Sequence, residues 1–201
     1  MINFTCPECK RVYSVAEALA GRSARCACGV TLMVPKANVA LHASGSGGAL
    51  RSRRLLADHA EMRRRFSDGA IRLVKLEGNP PTSYEIEFDI NGLVPGKKNP
   101  SPLSKHLARI ELTSEYPRVA PICRMLTPIF HPNIDESHIC VGDHWAAGEH
   151  LGDLVIRIGE MIAYQAYNIR SPLDAEAAMW ADLNQDKLPT DSRDIRSLVR
   201  D

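Results

Sequence analysis

The 201-residue chain has no apolar run long enough to span a bilayer, so no membrane-embedded segment is expected. It also has no excess of either charge: 25 Lys and Arg stand against 24 Asp and Glu, a formal net charge of +1. That balance exerts no global pull toward nucleic acid or an acidic surface, and nucleic acid is not an expected partner. The opening residues, MINFTCPECK, lack a positive segment followed by an apolar one. No secretory signal is therefore expected, and the expected location is the cytoplasm. The length suits one ordinary domain with a small accessory module.

What the chain does have is six cysteines, unevenly placed: four in the first thirty residues, then Cys123 and Cys140. Such clustering points to metal binding at the front rather than to a disulfide framework. Cys6 and Cys9 form a C-x-x-C, and Cys26 and Cys28 a tighter C-x-C followed by Gly29. Two tight turns that each bring a thiolate pair supply the four ligands of a tetrahedral zinc site. The arrangement resembles the short zinc ribbons at the N-termini of many bacterial proteins. That resemblance implies a structural zinc held by Cys6, Cys9, Cys26 and Cys28. So small a module cannot bury a sufficient core, and the metal is expected to supply most of its folding energy. Residues 1–38 are read as the ribbon. Residues 39–50, which include LHASGSGGA, are read as a flexible linker. Residues 51–201 form the second domain.

From Arg51, the residues Leu55, His59, Met62 and Phe66 recur at helical spacing, with Leu56 beside them. Arg53, Arg54, Arg63, Arg64 and Arg65 lie on the opposite face. Ser67-Asp68-Gly69 ends the helix. Four strands are then predicted: Ile71–Leu76, Tyr84–Ile90 stopping at Asn91-Gly92, His106–Leu112 and Ile122–Leu126, with a Pro-, Gly- and Lys-rich loop from Val94 to Ser104. Short connections between alternating strands argue an antiparallel meander with one face buried. Beyond Cys140, Leu151, Leu154, Val155, Ile158, Met161 and Ile162 make an apolar helical stripe. A break at Asn168–Pro172 follows, then a helix over Ala175–Leu183 and a last turn at Ile195–Val199. Helix, four strands, an irregular segment and further helices define an α+β domain.

The thiol of Cys140 follows His131-Pro132-Asn133 by a short loop, and the residue types there leave several readings open. Imidazole and thiolate are good metal ligands, so His131, His138, Cys140 and His144 could form a second zinc site, although no paired-knuckle spacing recurs. Cys140 with His138 or His144 as base would suit a hydrolase, but no oxyanion hole of backbone amides is evident.

The ordered features of residues 51–190 resemble the ubiquitin-conjugating enzyme family. They are the basic first helix, the four-strand meander, Tyr116-Pro117 with Pro121, His131-Pro132-Asn133, Ile139-Cys140 with Trp145, and Tyr167-Asn168-Ile169-Arg170-Ser171-Pro172-Leu173. The loop from Asn133 to Cys140 is one step shorter than the family's usual one and reads Asp135-Glu136-Ser137-His138, without its customary glycine. The resemblance implies a divergent, bacterial member. It implies that Cys140 accepts a ubiquitin-like modifier as a thioester from an activating enzyme and passes it to a lysine amine of a target protein, with a ligase as a further partner. Thiolate suits this exchange, since a thioester forms readily from another and yields readily to an amine.

By the same resemblance Asn133 stabilises the charged tetrahedral intermediate, a donor whose loss costs on the order of 3 kcal/mol in acyl transfer. Ser171 orients the incoming lysine, His131 holds the loop, Trp145 packs nearby, and Arg53 and Arg54 dock the activating enzyme. No cofactor is implied for catalysis. A non-catalytic module of the same fold that binds ubiquitin-like modifiers is the alternative. Cys123, on a strand in apolar company, is expected to be inert.

Overall fold

A computed structural model describes residues 2–6, 8–16, 19–34, 47–141 and 145–199. The chain divides into two compact units, one ending at Gly47 and the other beginning at Gly48.

In the first unit, β1 (Ile2–Thr5) pairs antiparallel with β2 (Val12–Val15), and β3 (Ser23–Arg25) with β4 (Thr31–Met33). Each hairpin tip carries one cysteine pair. The first is closed by Cys6 N–H to Arg11 O (2.9 Å) and Lys10 N–H to Cys6 O (3.0 Å), the second by Cys26 N–H to Val30 O (2.8 Å) and Gly29 N–H to Cys26 O (2.8 Å). Gly29 has φ +95°, a conformation that favours a residue without Cβ. Among the described residues of this unit, Cys6, Cys26 and Leu32 form the buried cluster, with Tyr13 and Val30 packed against it.

α1 (Gly47–Arg65) starts at the boundary and from Gly48 onward belongs to the second unit. The helix thus begins four residues before Arg51 and takes Gly47–Leu50 from the expected linker. Two glycines, poor helix formers, hide its first turn from a periodicity argument. Leu55 and Met62 on α1 and Phe66 just beyond it are buried, while Leu56 is 56% exposed. The four-stranded sheet has the expected antiparallel order β5 (Ile71–Gly78), β6 (Pro81–Val94), β7 (Ser101–Glu111) and β8 (Ile122–Met125).

The β6–β7 connection differs from the expectation. Asn91-Gly92 does not end β6; it lies in a bulge, with Gly92 opposite Leu103, and β7 begins at Ser101 rather than His106. Asn91 N–H, out of register with the ladder, is taken by the Asp191 carboxylate at 2.9 Å. A Cβ on Gly92 would lie 2.8 Å from His106 Nε2 and 2.9 Å from Ile162 Cγ2. The glycine therefore allows a close approach rather than making a turn.

The sheet's inner face, with Tyr84, Ile86, Phe88, Ile90, Ala108 and Ile110, is covered by α2 (Leu151–Ile162), whose six predicted stripe residues are all buried. The outer face carries cross-strand ion pairs such as Arg109–Glu85 (2.5 Å) and Arg124–Glu111 (3.3 Å). α3 (Ala175–Leu183) is capped by Asp174, whose side chain accepts Ala177 N–H at 2.9 Å. Ile195–Leu198 forms a 3₁₀ turn that buries Ile195.

Gly159 sets how closely α2 approaches its neighbours: a Cβ there would meet Ile195 Cγ2 at 2.9 Å and Ile90 Cδ1 at 3.1 Å. Gly159→Ala should gain about 1 kcal/mol of helix propensity but lose about 1–3 kcal/mol to overpacking. The expected result is a lower urea midpoint at unchanged slope; an unchanged or higher midpoint would contradict this packing account.

Candidate functional site

After β8 the chain enters a turn at His131–Asn133. His131 is fully buried and packs edge-on against Tyr164, with ring centroids 4.8 Å apart. Its Nδ1 accepts Asn133 N–H at 3.1 Å, so the ring proton sits on Nε2. Burial pushes the imidazole pKa down to about 3, which keeps the ring neutral.

The short loop from Asn133 to Cys140 closes without glycine because the Asp135 carboxylate replaces it. One oxygen accepts from Ser137 N–H (2.7 Å), Ser137 Oγ (2.7 Å) and His138 N–H (2.8 Å). The Ser137 side-chain bond, with the His138 and Ser137 backbone bonds, holds the Asp135 pKa down to about 2 against the opposing effect of burial. Ile139 N–H then bonds Cys123 O (2.7 Å), and Cys140 N–H bonds Asn133 O (3.0 Å). The cysteine backbone is thereby tied directly to the asparagine.

Asn133 is 7% exposed and its side-chain amide is engaged at both ends. Nδ2 donates to Asn168 O (2.8 Å) and more weakly to Ser171 O (3.4 Å), while Oδ1 accepts Asn168 N–H (2.6 Å). Leu173 N–H to Pro132 O (2.7 Å) adds a further bond between the same two segments. In this state the amide clasps the 168–171 segment instead of pointing a spare donor at the sulfur. Asn133, Cys140, Tyr167, Asn168, Ser171 and Arg157 line one cleft of about 270 Å³, with apolar contributions from Met161 and Ala166. The structure thus brings Cys140, Asn133 and Ser171 together.

Arg157 was not anticipated. It sits between Ile156 and Ile158 in α2, and its Nη2 lies 3.0 Å from Glu149 Oε1. A charged residue interrupting an apolar helix was the signal available in the sequence.

The two later thiols differ sharply. Cys123 is 1% exposed, and burial pushes its pKa up to about 12. Cys140 is half-buried at the cleft. His138 is exposed and turned to Ser137 Oγ at 2.9 Å; it is not among the cleft-lining residues. His144 lies outside the described residues. Trp145 packs on Tyr116 (ring centroids 5.7 Å apart) and donates from Nε1 to Pro117 O at 2.8 Å, away from the cleft lining.

The arginine-rich face of α1 splits in two. Arg53, Arg63 and Arg64 are exposed. Arg54 is turned inward: it binds Asp58 at 2.8 and 3.0 Å, Tyr116 Oη at 3.1 Å, Ala147 O at 2.8 Å and Glu149 O. Asp58, 2% exposed, also accepts Tyr116 Oη–H at 2.5 Å. Arg65 pairs with Glu61 (2.8 Å) and Asp153 (3.1 Å). A buried carboxylate and phenol therefore hold Arg54, which had been expected at a partner surface.

In the first unit the four sulfur atoms of Cys6, Cys9, Cys26 and Cys28 lie within 4.8 Å of one another. Cys6–Cys28 is 3.7 Å and Cys9–Cys26 is 3.5 Å. A zinc ion with four thiolates at its usual bond length would separate them by about 3.8 Å. The donor set therefore fits a tetrahedral metal ion, and it is the one group of three or more such ligands among the described residues. Tyr13 Oη lies 2.9 Å from Cys26 Sγ.

No helix among the described residues is long and apolar enough to cross a membrane. The sequence model of the family described as ubiquitin-conjugating enzyme matches residues 79–194. Among solved structures, a Plasmodium yoelii protein proposed to be a ubiquitin conjugating enzyme is similar over 77% of this chain and 92% of its own, with 18% identity and a TM-score of 0.51. The E2 domain of a Toxoplasma gondii ubiquitin conjugating enzyme aligns over 73% and 92%, with 17% identity and a TM-score of 0.48. The first likeness speaks to the fold. The family match spans more than half of the chain and includes the clasped asparagine, the half-buried thiol and the segment across from them: the chain belongs to the ubiquitin-conjugating enzyme family.

Proposed function

We propose that the protein is a conjugating transferase that carries a ubiquitin-like modifier as a thioester on Cys140 and delivers it to a lysine amine. The observation that carries this reading is the placement of Cys140 at a cleft shared with Asn133 and Ser171, while the other thiol of the domain is buried. Sulfur at such a cleft can be reached by an incoming carbonyl carbon, and a sulfur inside the sheet cannot. The partners are an activating enzyme, the modifier, target lysines and a ligase.

On this reading Asn133 acts first by fixing the loop segments around the sulfur. Donating to the acyl oxygen would require its Nδ2 to give up Asn168 O or share its weaker bond to Ser171 O. Ser171, which lines the same cleft, orients the incoming lysine. The ribbon folds around a zinc ion held by Cys6, Cys9, Cys26 and Cys28, supported by the sulfur spacing and by how little else the unit buries. The exposed Arg53, Arg63 and Arg64 dock the activating enzyme, and Arg54 is reassigned to holding the fold.

With the cognate activating enzyme, modifier and ATP, wild type should form a reductant-sensitive adduct visible on non-reducing gels. Cys123→Ala should keep it and Cys140→Ala should lose it. No adduct in wild type would refute the transferase reading, and a modifier complex indifferent to Cys140→Ala would favour a binding module of the same fold.

Zinc content measured by mass spectrometry should be one equivalent per chain, and Cys26→Ser should abolish it without lowering the urea midpoint of the second unit. Less than a tenth of an equivalent in protein purified without chelator would remove the metal from the account. Finally, Arg53→Glu should slow adduct formation several-fold at low salt, with a smaller effect at high salt. Equal rates at both would remove Arg53 from the docking surface.

A further inference from the structure

Acyl transfer at Cys140 needs a group that stabilises negative charge on the acyl oxygen, and two of the cleft's amide donors are already engaged. Asn133 Nδ2 and Asn168 N–H are spent on each other's segments. Asn168 Oδ1 accepts Arg170 N–H at 2.9 Å. Arg157 is the one cation among the described residues lining that cleft. Its side chain is 22% exposed, and its Nη2 is fully shielded from solvent. That nitrogen sits 3.0 Å from Glu149 Oε1 without the alignment of a hydrogen bond, so the ion pair holds the guanidinium in place and leaves N–H capacity unused. A buried donor left unpaired costs stability and calls for a reason. Glu149 is 15% exposed and its backbone carbonyl accepts from Arg54, which anchors the carboxylate end of the pair.

We infer that Arg157 is the charge-stabilising group of the Cys140 cleft, placed to receive the acyl oxygen as the thioester forms and is discharged. The inference rests on the acyl-carrier reading above. In discharge, the lysine amine adds to the thioester carbonyl carbon and the C=O electron pair moves to oxygen, beside the guanidinium. The pair then returns, the new C–N bond stays, the C–S bond breaks and Cys140 leaves as thiolate, the amine proton passing to solvent. Fixed positive charge lowers the barrier because it is already oriented when the oxyanion appears. Glu149 tempers that charge when the cleft is empty.

A partner-independent test uses two alkylating agents of similar shape, anionic iodoacetate and neutral iodoacetamide, with modification of Cys140 followed by peptide mass spectrometry on the full chain. A cation in the cleft favours the anionic reagent. The iodoacetate-to-iodoacetamide rate ratio should fall about three- to tenfold in Arg157→Met, the size of one ion attraction across a few ångströms of partly hydrated space. It should return in Arg157→Lys and rise in Glu149→Gln. A ratio unchanged in Arg157→Met overturns the inference, and a low ratio that Arg157→Lys fails to restore does the same by pointing to misfolding instead of lost charge. In single-turnover discharge to lysine, Arg157→Met should lower the rate constant about ten- to a hundredfold with little change in half-saturating lysine. Wild-type discharge by a loaded Arg157→Met also overturns it. Failure of every variant, wild type included, to form a thioester would instead sink the acyl-carrier reading, with the alkylation ratio still reporting whether Arg157 sets the charge of the cleft.

Discussion

Two hydrogen bonds between the Asn133 side chain and the Asn168 backbone, 2.6 and 2.8 Å long, set the geometry on which the cleft depends. They join segments 35 residues apart, one leading to Cys140 and the other leading out of α2. A buried amide with both ends satisfied has one orientation, because any rotation strands a donor or an acceptor away from water. Asn133 O holds Cys140 N–H, so the sulfur inherits that fixed position. Neutral His131, packed under Tyr164 and bonded to Asn133 N–H, removes the remaining freedom of the turn.

The same economy separates the two thiols of the domain. Cys123 and Cys140 are joined through Ile139, whose N–H bonds Cys123 O. Strand alternation turns the first side chain into the core, where burial suppresses its ionisation. The second follows Ile139 directly and opens on the cleft. One residue beyond the bond to Cys123 O therefore separates a buried sulfur from an accessible one.

Charge is divided just as sharply on α1. A run of arginines looks uniform in sequence, yet Arg54 satisfies a buried carboxylate and stacks over Tyr116 at 5.4 Å, while Arg53 faces solvent. Asp58 cannot be buried without such partners. The Tyr116 phenol, held above its ordinary range by burial and then by Asp58, stays protonated and donates to it. The inner arginine therefore belongs to the folding account, and only the outer ones remain for a partner. In the first unit a metal ion held by the four thiolates would carry a comparable burden, since the buried cluster among the described residues is two cysteines and one leucine.

Local chemistry was legible in the sequence wherever period and spacing carry it. The α2 stripe, the meander order, the α3 boundaries and the paired cysteines were all readable, because side-chain direction repeats along a helix or strand and thiolate pairs need short turns. Two glycines were misread or passed over for the same reason. Gly92 was taken as a turn residue and Gly159 was passed over, although each serves a close approach by an element distant in sequence. The destination of the Asn133 amide, the inward turn of Arg54 and the presence of Arg157 in the lining of the Cys140 cleft had to wait for the tertiary structure. Each is a contact between segments far apart along the chain, and no local periodicity encodes which of two similar polar side chains will find a buried partner.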